Sequence, residues 1–457
     1  MKCAVVLFTS DLRLHDHPPL RAALSACEQV VPVFVLDDGI RAAGFQAPHR
    51  QAFLADCLTD LDEQLRARGG RLVVRSGDVV DEVGAVAHEA DADEVHMAGG
   101  VSSYAHAREE RLRAALGEQG RRLYVHDAVV TALAPGAVVP SGSDHYAVFT
   151  PYYRRWSQEE IRGTLAAPRS VRVPDAVRSQ KIPSRKDVAG VGEGLADGGE
   201  SEGRKQLARW LRSGLGRYEQ MRDDLAADAT SKLSAHLHFG TLSAAEVVHR
   251  ARSADGPGAD AYVRQLCWRD FHHQVLAARP RAAADDYRDR HDLWRTGGEA
   301  EDDIEAWKNG RTGYPVVDAA MRQLRHEGWI HNRGRLLTAS FLAKTLYVDW
   351  RTGARHFLDL LVDGDLANNQ LNWQWVAGTG TDTRPNRVLD PVRQGRLHDP
   401  DGTYVRRWVP ELEDLRGTAV HEPWKLRRHD RARGGYPEPL VALAEGRRRF
   451  ERGRGID

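Results

Sequence analysis

Short apolar runs stand at regular intervals along the first part of the chain: Ala4–Phe8, Val30–Leu36, Arg71–Val74, Glu94–Ala98 and Leu123–His126. Each has the length of a strand buried on both faces. Between them lie helix-like stretches such as Ala52–Arg68 and Ala105–Gln119, with glycine at or just beyond their ends. Strands alternating with helices predict a parallel, Rossmann-like α/β sheet with right-handed crossovers over residues 1–130. No GxGxxG follows the first run, so the fingerprint of a dinucleotide site is missing there. A polar cluster, Asp11, Arg13, His15 and Asp16, stands in its place and as a bare motif says little.

Over residues 131–203 the periodicity fades and Pro, Gly and Ser become frequent, ending in GVGEGLADGGESEG. This predicts a long surface connector, and structureless loops of such length are functional or disordered. Residues 204–457 turn helical, with long amphipathic segments and almost no strand signal. Nine of the eleven tryptophans lie beyond Trp210. No internal repeat is visible.

Composition narrows the picture only in places. With 457 residues the chain is long enough for two or three domains. Acidic and basic residues balance at 65 each, so any nucleic-acid-binding face must be local. Cys3, Cys27, Cys57 and Cys267 form no CxxC pair, which excludes a zinc ribbon or disulfide scaffold and suits a reducing cytosol. The N-terminal apolar run is short and followed at once by charge, so neither a signal peptide nor a membrane span is expected. These features predict a cytoplasmic monomer.

Three segments carry chemistry. In GRYEQMRDDLAADATSKLSAHLHFG, the hydroxyls of Thr230, Ser231 and Ser234 cluster where a helix can begin. Such a place either docks a phosphate or is an ordinary N-cap. In QLCWRDFHH, Trp268 and Arg269 are adjacent on a helix and point in different directions, among neighbours that suit a groove wall. The third segment runs from Thr312 through WIHNRGRLL and DGDLANNQLNWQW. Asn332 and Arg335 are three apart on one helical face. Asp363, Asp365 and Asn369 fall within about two turns. An arginine facing a buried carboxylate holds charge beside an aromatic cofactor, or is a structural salt bridge. Trp294, Trp350, Trp373 and Trp375 can relay an electron by short hops or simply pack.

Together with WRDF, WVPEL and HEPW, these segments make the chain similar to class I cyclobutane pyrimidine dimer DNA photolyases, of the photolyase/cryptochrome family. VLFTSDLRLHDHPPL resembles the family's opening strand and loop, so the likeness runs nearly end to end. It implies an α/β antenna domain, a connector, and an all-α C-terminal domain holding FAD. By resemblance, Tyr218, Thr230, Ser231 and Ser234 bind the FAD phosphates and nearby groups. Arg335 and Asp363 pair beside the flavin with Asp365 close by, and the Asn369 amide faces the flavin's central nitrogen. Trp373, Trp350 and Trp294 match an electron-transfer chain to the surface. Trp268 and Trp375 match the walls around a flipped-out dimer in UV-damaged DNA, with Gln265, Arg269, Asn332, Arg333 and Leu336 lining the same pocket. A second chromophore, a deazaflavin rather than a folate, is expected in the N-terminal domain with Arg50 as a contact.

Four positions depart from the family pattern. Gln265 stands where dimer photolyases commonly carry Glu, Leu336 replaces Met, and Asp390 in VLDP adds a charge. Gly334 sits inside a cofactor-facing helix, where glycine costs roughly 1 kcal/mol and opens space. His331-Asn332-Arg333 favours the cyclobutane substrate. Two further readings stay open: a cryptochrome-like photoreceptor, and a repurposed FAD enzyme acting on a non-DNA substrate.

Overall fold

The computed structural model describes residues 2–426 and 435–456. Every expected strand forms: β1 Cys3–Phe8, β2 Gln29–Asp37, β3 Val73–Gly77, β4 Glu94–Ala98 and β5 Arg122–His126. β3 starts two residues late because the Leu72 N–H is taken by the Asp62 carboxylate at 2.8 Å. All neighbours pair in parallel, in the order β3-β2-β1-β4-β5. Alternation along β1 sorts its side chains to two faces. Ala4, Val6 and Phe8 pack under α1 (Pro18–Ala26) and α2 (Pro48–Arg66). Cys3, Val5 and Leu7 pack under α3 (Val79–Glu89) and α4 (Ser103–Glu118). The crossovers change direction between β1 and β4, which opens a crevice at the C-terminal ends of those strands.

The connector is more ordered than its composition suggests. It contains a helix, α5 (Phe149–Trp156), and then returns along the sheet, where Val30 N–H donates to Arg172 O and Gln180 N–H to Val74 O, both at 2.9 Å. Phe149, Tyr152, Tyr153 and Trp156 stand at i, i+3, i+4 and i+7, an apolar stripe that pays no heed to Pro151 in the first turn.

The helical domain holds α6 (Glu200–Ser213), α7 (Ala244–Arg252), α8 (Pro257–Ala278), α9 (Pro315–Glu327), α10 (Asn332–Ser340), α11 (Trp350–Leu360), α12 (Leu366–Ala377) and α13 (Leu443–Arg454). One apolar core gathers around α5, α7 and α8, with Trp156, Val247 and Phe271. The other gathers around α9 to α12, with Trp307, Leu324, Phe357 and Trp373. α8 packs against α12 and so joins the two. Among the described residues no helix is long and apolar enough to cross a membrane.

The polar cluster after β1 is the joint between the domains. Arg13, only 1% exposed, donates to Asp16 O, Val129 O and Gly240 O at 2.8–3.1 Å. Glu200, at the start of α6, accepts from the N–H groups of Leu14 and His15.

Candidate active site

The hydroxyl cluster precedes a short helix, Ser234–His238. Tyr262 of α8 donates to Ser231 Oγ at 3.1 Å, and its ring meets Tyr218 edge-on at 5.3 Å. Trp329 Nε1–H donates to Ser234 Oγ at 3.2 Å. Thr230 Oγ1 is buried with no partner among the described residues. Burial raises the Tyr218 phenol to about 12, so it stays a neutral donor.

From Trp329 the contacts run on to the ion pair. The helix α10 begins at Asn332, because Gly328 closes α9 in a left-handed turn at φ +62°. Arg335 Nε–H returns to Ile330 O at 3.0 Å, and its Nη2–H donates to Asp363 Oδ2 at 2.7 Å. The other oxygen, Asp363 Oδ1, is buried with no partner among the described residues. On α12, Asn369 gives its amide hydrogens to Ala354 O (3.0 Å) and Gln370 Oε1 (2.9 Å).

Asp365 sits differently from Asp363. Its Oδ1 caps α12 through Asn368 N–H at 2.8 Å, and its Oδ2 meets His273 Nε2 at 3.2 Å. Although burial opposes ionisation, His273 and Arg269 hold this carboxyl well below its ordinary range. Arg269 belongs to this cluster and does not join Asn332 and Arg333: its guanidinium donates to Val130 O (2.6 Å) and Leu237 O (3.1 Å). Asn332 is exposed, and Arg333 forms a two-point ion pair with Asp223 at 2.8 and 2.9 Å.

The tryptophans are graded by depth. Trp350 and Trp373 are buried in one apolar core, and half-buried Trp294 packs at its edge. Gly353 explains how Trp373 reaches α11, since a Cβ there would lie 2.2 Å from the indole. The rings that Trp373 meets are Phe357 at 5.0 Å and Trp307 at 6.1 Å, while Trp350 stands three residues before Gly353 on α11. Trp350 Nε1–H donates to Asp286 at 2.8 Å, and Trp294 meets the ring of Tyr347 at 4.9 Å. Sequence reasoning missed Gly353 and Tyr347, neither of which carries a motif. It also missed Phe149, which stacks on Trp268 at 3.7 Å and 6°. Trp375 is half-buried beside a small cavity lined by Arg333, Leu336 and Leu389. Gln265 is exposed on α8.

Two family patterns cover most of the chain: "DNA photolyase" matches residues 4–171, and "FAD binding domain of DNA photolyase" matches residues 262–453. The chain belongs to the DNA photolyase family. It is 65% identical, over the whole of both chains, to the deoxyribodipyrimidine photo-lyase of Streptomyces griseus. It is similar to the class III photolyase structure from Agrobacterium tumefaciens, with a TM-score of 0.92, 32% identity, and coverage of 100% of this chain and 97% of the other. An archaeal photolyase from Sulfolobus tokodaii, solved with two FAD molecules, aligns at a TM-score of 0.88 with 31% identity over all of both chains.

The residues fit the FAD of that family. Thr230 Oγ1 and Asp363 Oδ1 are buried polar atoms that the protein leaves unmet, one a hydroxyl suited to phosphate and one an acceptor beside a fixed guanidinium. Two of the departures from the photolyase pattern also find a cause outside the pocket. Gly334 does not open space toward a cofactor: a Cβ there would meet Ile330 at 2.9 Å and Ala320 at 3.3 Å, so glycine allows α10 to seat on α9. Asp390 caps the helix Pro391–His398 by accepting from Arg393 N–H at 3.0 Å.

A cavity of about 610 Å³ lies at the C-terminal ends of the strands, in the crevice beside β1 and β4. Ser10, Phe34, Gly100 and Arg108 line one side, and His273 and Asp365 the other. Arg50 lies in its wall, where Nη1 donates to Leu358 O and, at 2.9 Å, to Leu361 O, while Nη2 is buried without a partner among the described residues. Burial lowers the Arg50 guanidinium to about 10.

Proposed function

We propose that this chain repairs cyclobutane pyrimidine dimers in DNA under blue light. The observation that carries the reading is helix α12, on which Asn369, Trp373 and Trp375 follow one another within two turns. Asn369 is the amide offered to the cofactor, Trp373 the first indole of the electron relay, and Trp375 a wall for the lesion. Bound and reduced, FAD would supply light-driven electron transfer that opens the cyclobutane ring with no net redox change.

The protein's own work is binding, orientation and exclusion of water. Thr230, Ser231, Ser234 and Tyr218 hold the phosphate end of FAD, and the Arg335–Asp363 pair fixes charge beside its ring. Trp268 and Trp375 offer apolar faces to a dimer turned out of the duplex. A dimer stacks and pairs poorly, so extruding it costs less than extruding an intact base. Exposed Gln265 both donates and accepts, and can read a pyrimidine edge without a carboxylate. Arg333 and Asn332 meet the DNA backbone, which makes affinity salt-dependent and independent of sequence.

The large cavity is assigned to a second, light-harvesting chromophore, a deazaflavin. The unpartnered Arg50 Nη2 supports a ligand with an acceptor or anionic group at that wall. The protein acts as a monomer in the cytoplasm.

The decisive experiment is repair of an ultraviolet-treated thymine oligonucleotide by photoreduced protein under blue light, with a dark control. Light-dependent recovery of intact thymines is expected. Absence of recovery from protein with FAD bound and photoreducible would overturn the reading and leave a light sensor.

A further inference from the structure

Lys344 is a buried cation that none of the assigned chemistry uses. It is 1% exposed and lies in a one-turn π-helical bulge, Phe341–Thr345, that continues α10. Such bulges concentrate at functional sites. Its Nζ donates to Pro385 O and Arg387 O, both at 2.7 Å, and sits 5.5 Å from the centre of the Phe450 ring. No carboxylate closes an ion pair with it among the described residues. Burial lowers its ammonium to about 7, with Arg454 and Arg387 adding to the shift and Asp382 and Asp292 opposing it. A methionine fills much the same volume without the cost of burying a charge, so packing alone gives no reason for lysine here. The two carbonyls do.

Both carbonyls belong to the loop after α12. That loop folds back tightly on the end of the helix. At Gly378 (φ +85°) a Cβ would lie 2.2 Å from Pro385 O, and at Gly380 one would lie 2.9 Å from Trp375 N. Ser340 Oγ makes a second tether by accepting from Leu389 N–H at 3.1 Å. Held this way, Asp382, Arg387 and Leu389 form one wall of the small cavity whose other wall is Trp375, Leu336 and Arg333.

We propose that Lys344 is a positioning residue that clamps the 385–389 segment, so that Arg387 stands at the mouth of the lesion pocket and meets the DNA backbone. This rests on the repair reading given above. Lys344 touches neither substrate nor cofactor; it acts through two carbonyl oxygens of the wall.

The test compares FAD-loaded wild type, Lys344→Met, Arg387→Ala and the double variant. Lys344→Met is expected to keep FAD and its light-driven reduction, and to lose about tenfold in affinity for dimer-containing duplex, the equivalent of ~1.4 kcal/mol. Repair per bound dimer per absorbed photon should stay at the wild-type value. Because Lys344 acts through Arg387, the double variant should bind no more weakly than Arg387→Ala alone. Lys344→Gln, which keeps two N–H donors, should fall between Met and wild type. Amide hydrogen exchange over residues 386–390 without DNA should speed up in Lys344→Met, which reads the clamp even if wild type were to repair nothing. Unchanged exchange, additive losses in the double variant, or loss of FAD from both lysine variants would each overturn the proposal.

Discussion

Arg335 donates one hydrogen bond to Asp363 Oδ2 across 2.7 Å, and the other oxygen of that carboxylate is buried with no partner among the described residues. A buried acceptor is rarely left unmet unless something else arrives to meet it. In the proposed function the arriving group is the cofactor. Asp363→Asn keeps the shape and removes the charge, leaving the Arg335 guanidinium uncompensated. FAD affinity should fall by about 10- to 100-fold. Titration of apoprotein by flavin fluorescence quenching measures this directly. An unchanged dissociation constant would make the pair a scaffold feature only.

The proposed relay of Trp373, Trp350 and Trp294 would serve reduction of the flavin and not the repair step. Trp373→Phe removes the indole seated over Gly353 and keeps an aromatic ring in its place. Light-driven reduction of oxidised flavin should drop at least tenfold, the signature of a lost relay step. Repair by chemically reduced protein should be unchanged within about twofold, since the proposed relay carries no electron to the dimer. Steady illumination with an external reductant, followed by absorbance, decides the first point. A repair assay in the presence of dithionite decides the second.

The sheet was legible because each strand announces itself: β4 is Glu94–Ala98 in sequence and structure alike. α5 was not, because Pro151 and the surrounding glycine and serine mask four aromatics at helical spacing. The polar cluster after β1 could be seen but not understood, since Arg13 finds Gly240 O 227 residues away and Leu14 N–H finds Glu200 186 residues away. Gly334 illustrates the same limit inside a motif. Helical periodicity gives its face but not the neighbour on that face, and the neighbour is Ile330 and α9. The motif residues of the proposed site rest on resemblance. Arg269 shows what resemblance leaves out, because its direction is set by Val130 and Leu237, far off in the chain.

Acid should weaken the fold through its buried histidines. Burial lowers His236 and His272 to about 4, well under the ordinary value near 6.5. Between those limits the unfolded chain binds protons that the folded chain refuses, so stability rises with pH and is lost as pH falls from 6.5 toward 4. Each such histidine contributes up to about 1.4 kcal/mol per pH unit in that window. Asp270 and Asp318, raised by burial, act in the opposite sense and temper the slope. Thermal unfolding of the FAD-loaded protein from pH 7 to 5 should show a falling midpoint, and His236→Gln should flatten the dependence. A midpoint indifferent to pH over this range would contradict the assignment.

The domain joint predicts a loss of cooperativity as well as of stability. Arg13 satisfies three carbonyls from three different segments, and no shorter or less branched cation can reach them all. Arg13→Lys should cost about 2–4 kcal/mol, because carbonyls buried at the joint lose their donor. Gly240→Ala attacks the same joint from the other side: at φ +66° its new Cβ would lie 1.9 Å from Ser10 O. Tryptophan fluorescence reports mainly on the helical domain, where nine of the eleven indoles lie beyond Trp210, whereas far-ultraviolet circular dichroism reports on both domains. In urea the two signals should coincide for wild type and part company in either variant, with one domain melting before the other. Coincident transitions at an unchanged midpoint would mean that the joint contributes neither stability nor coupling.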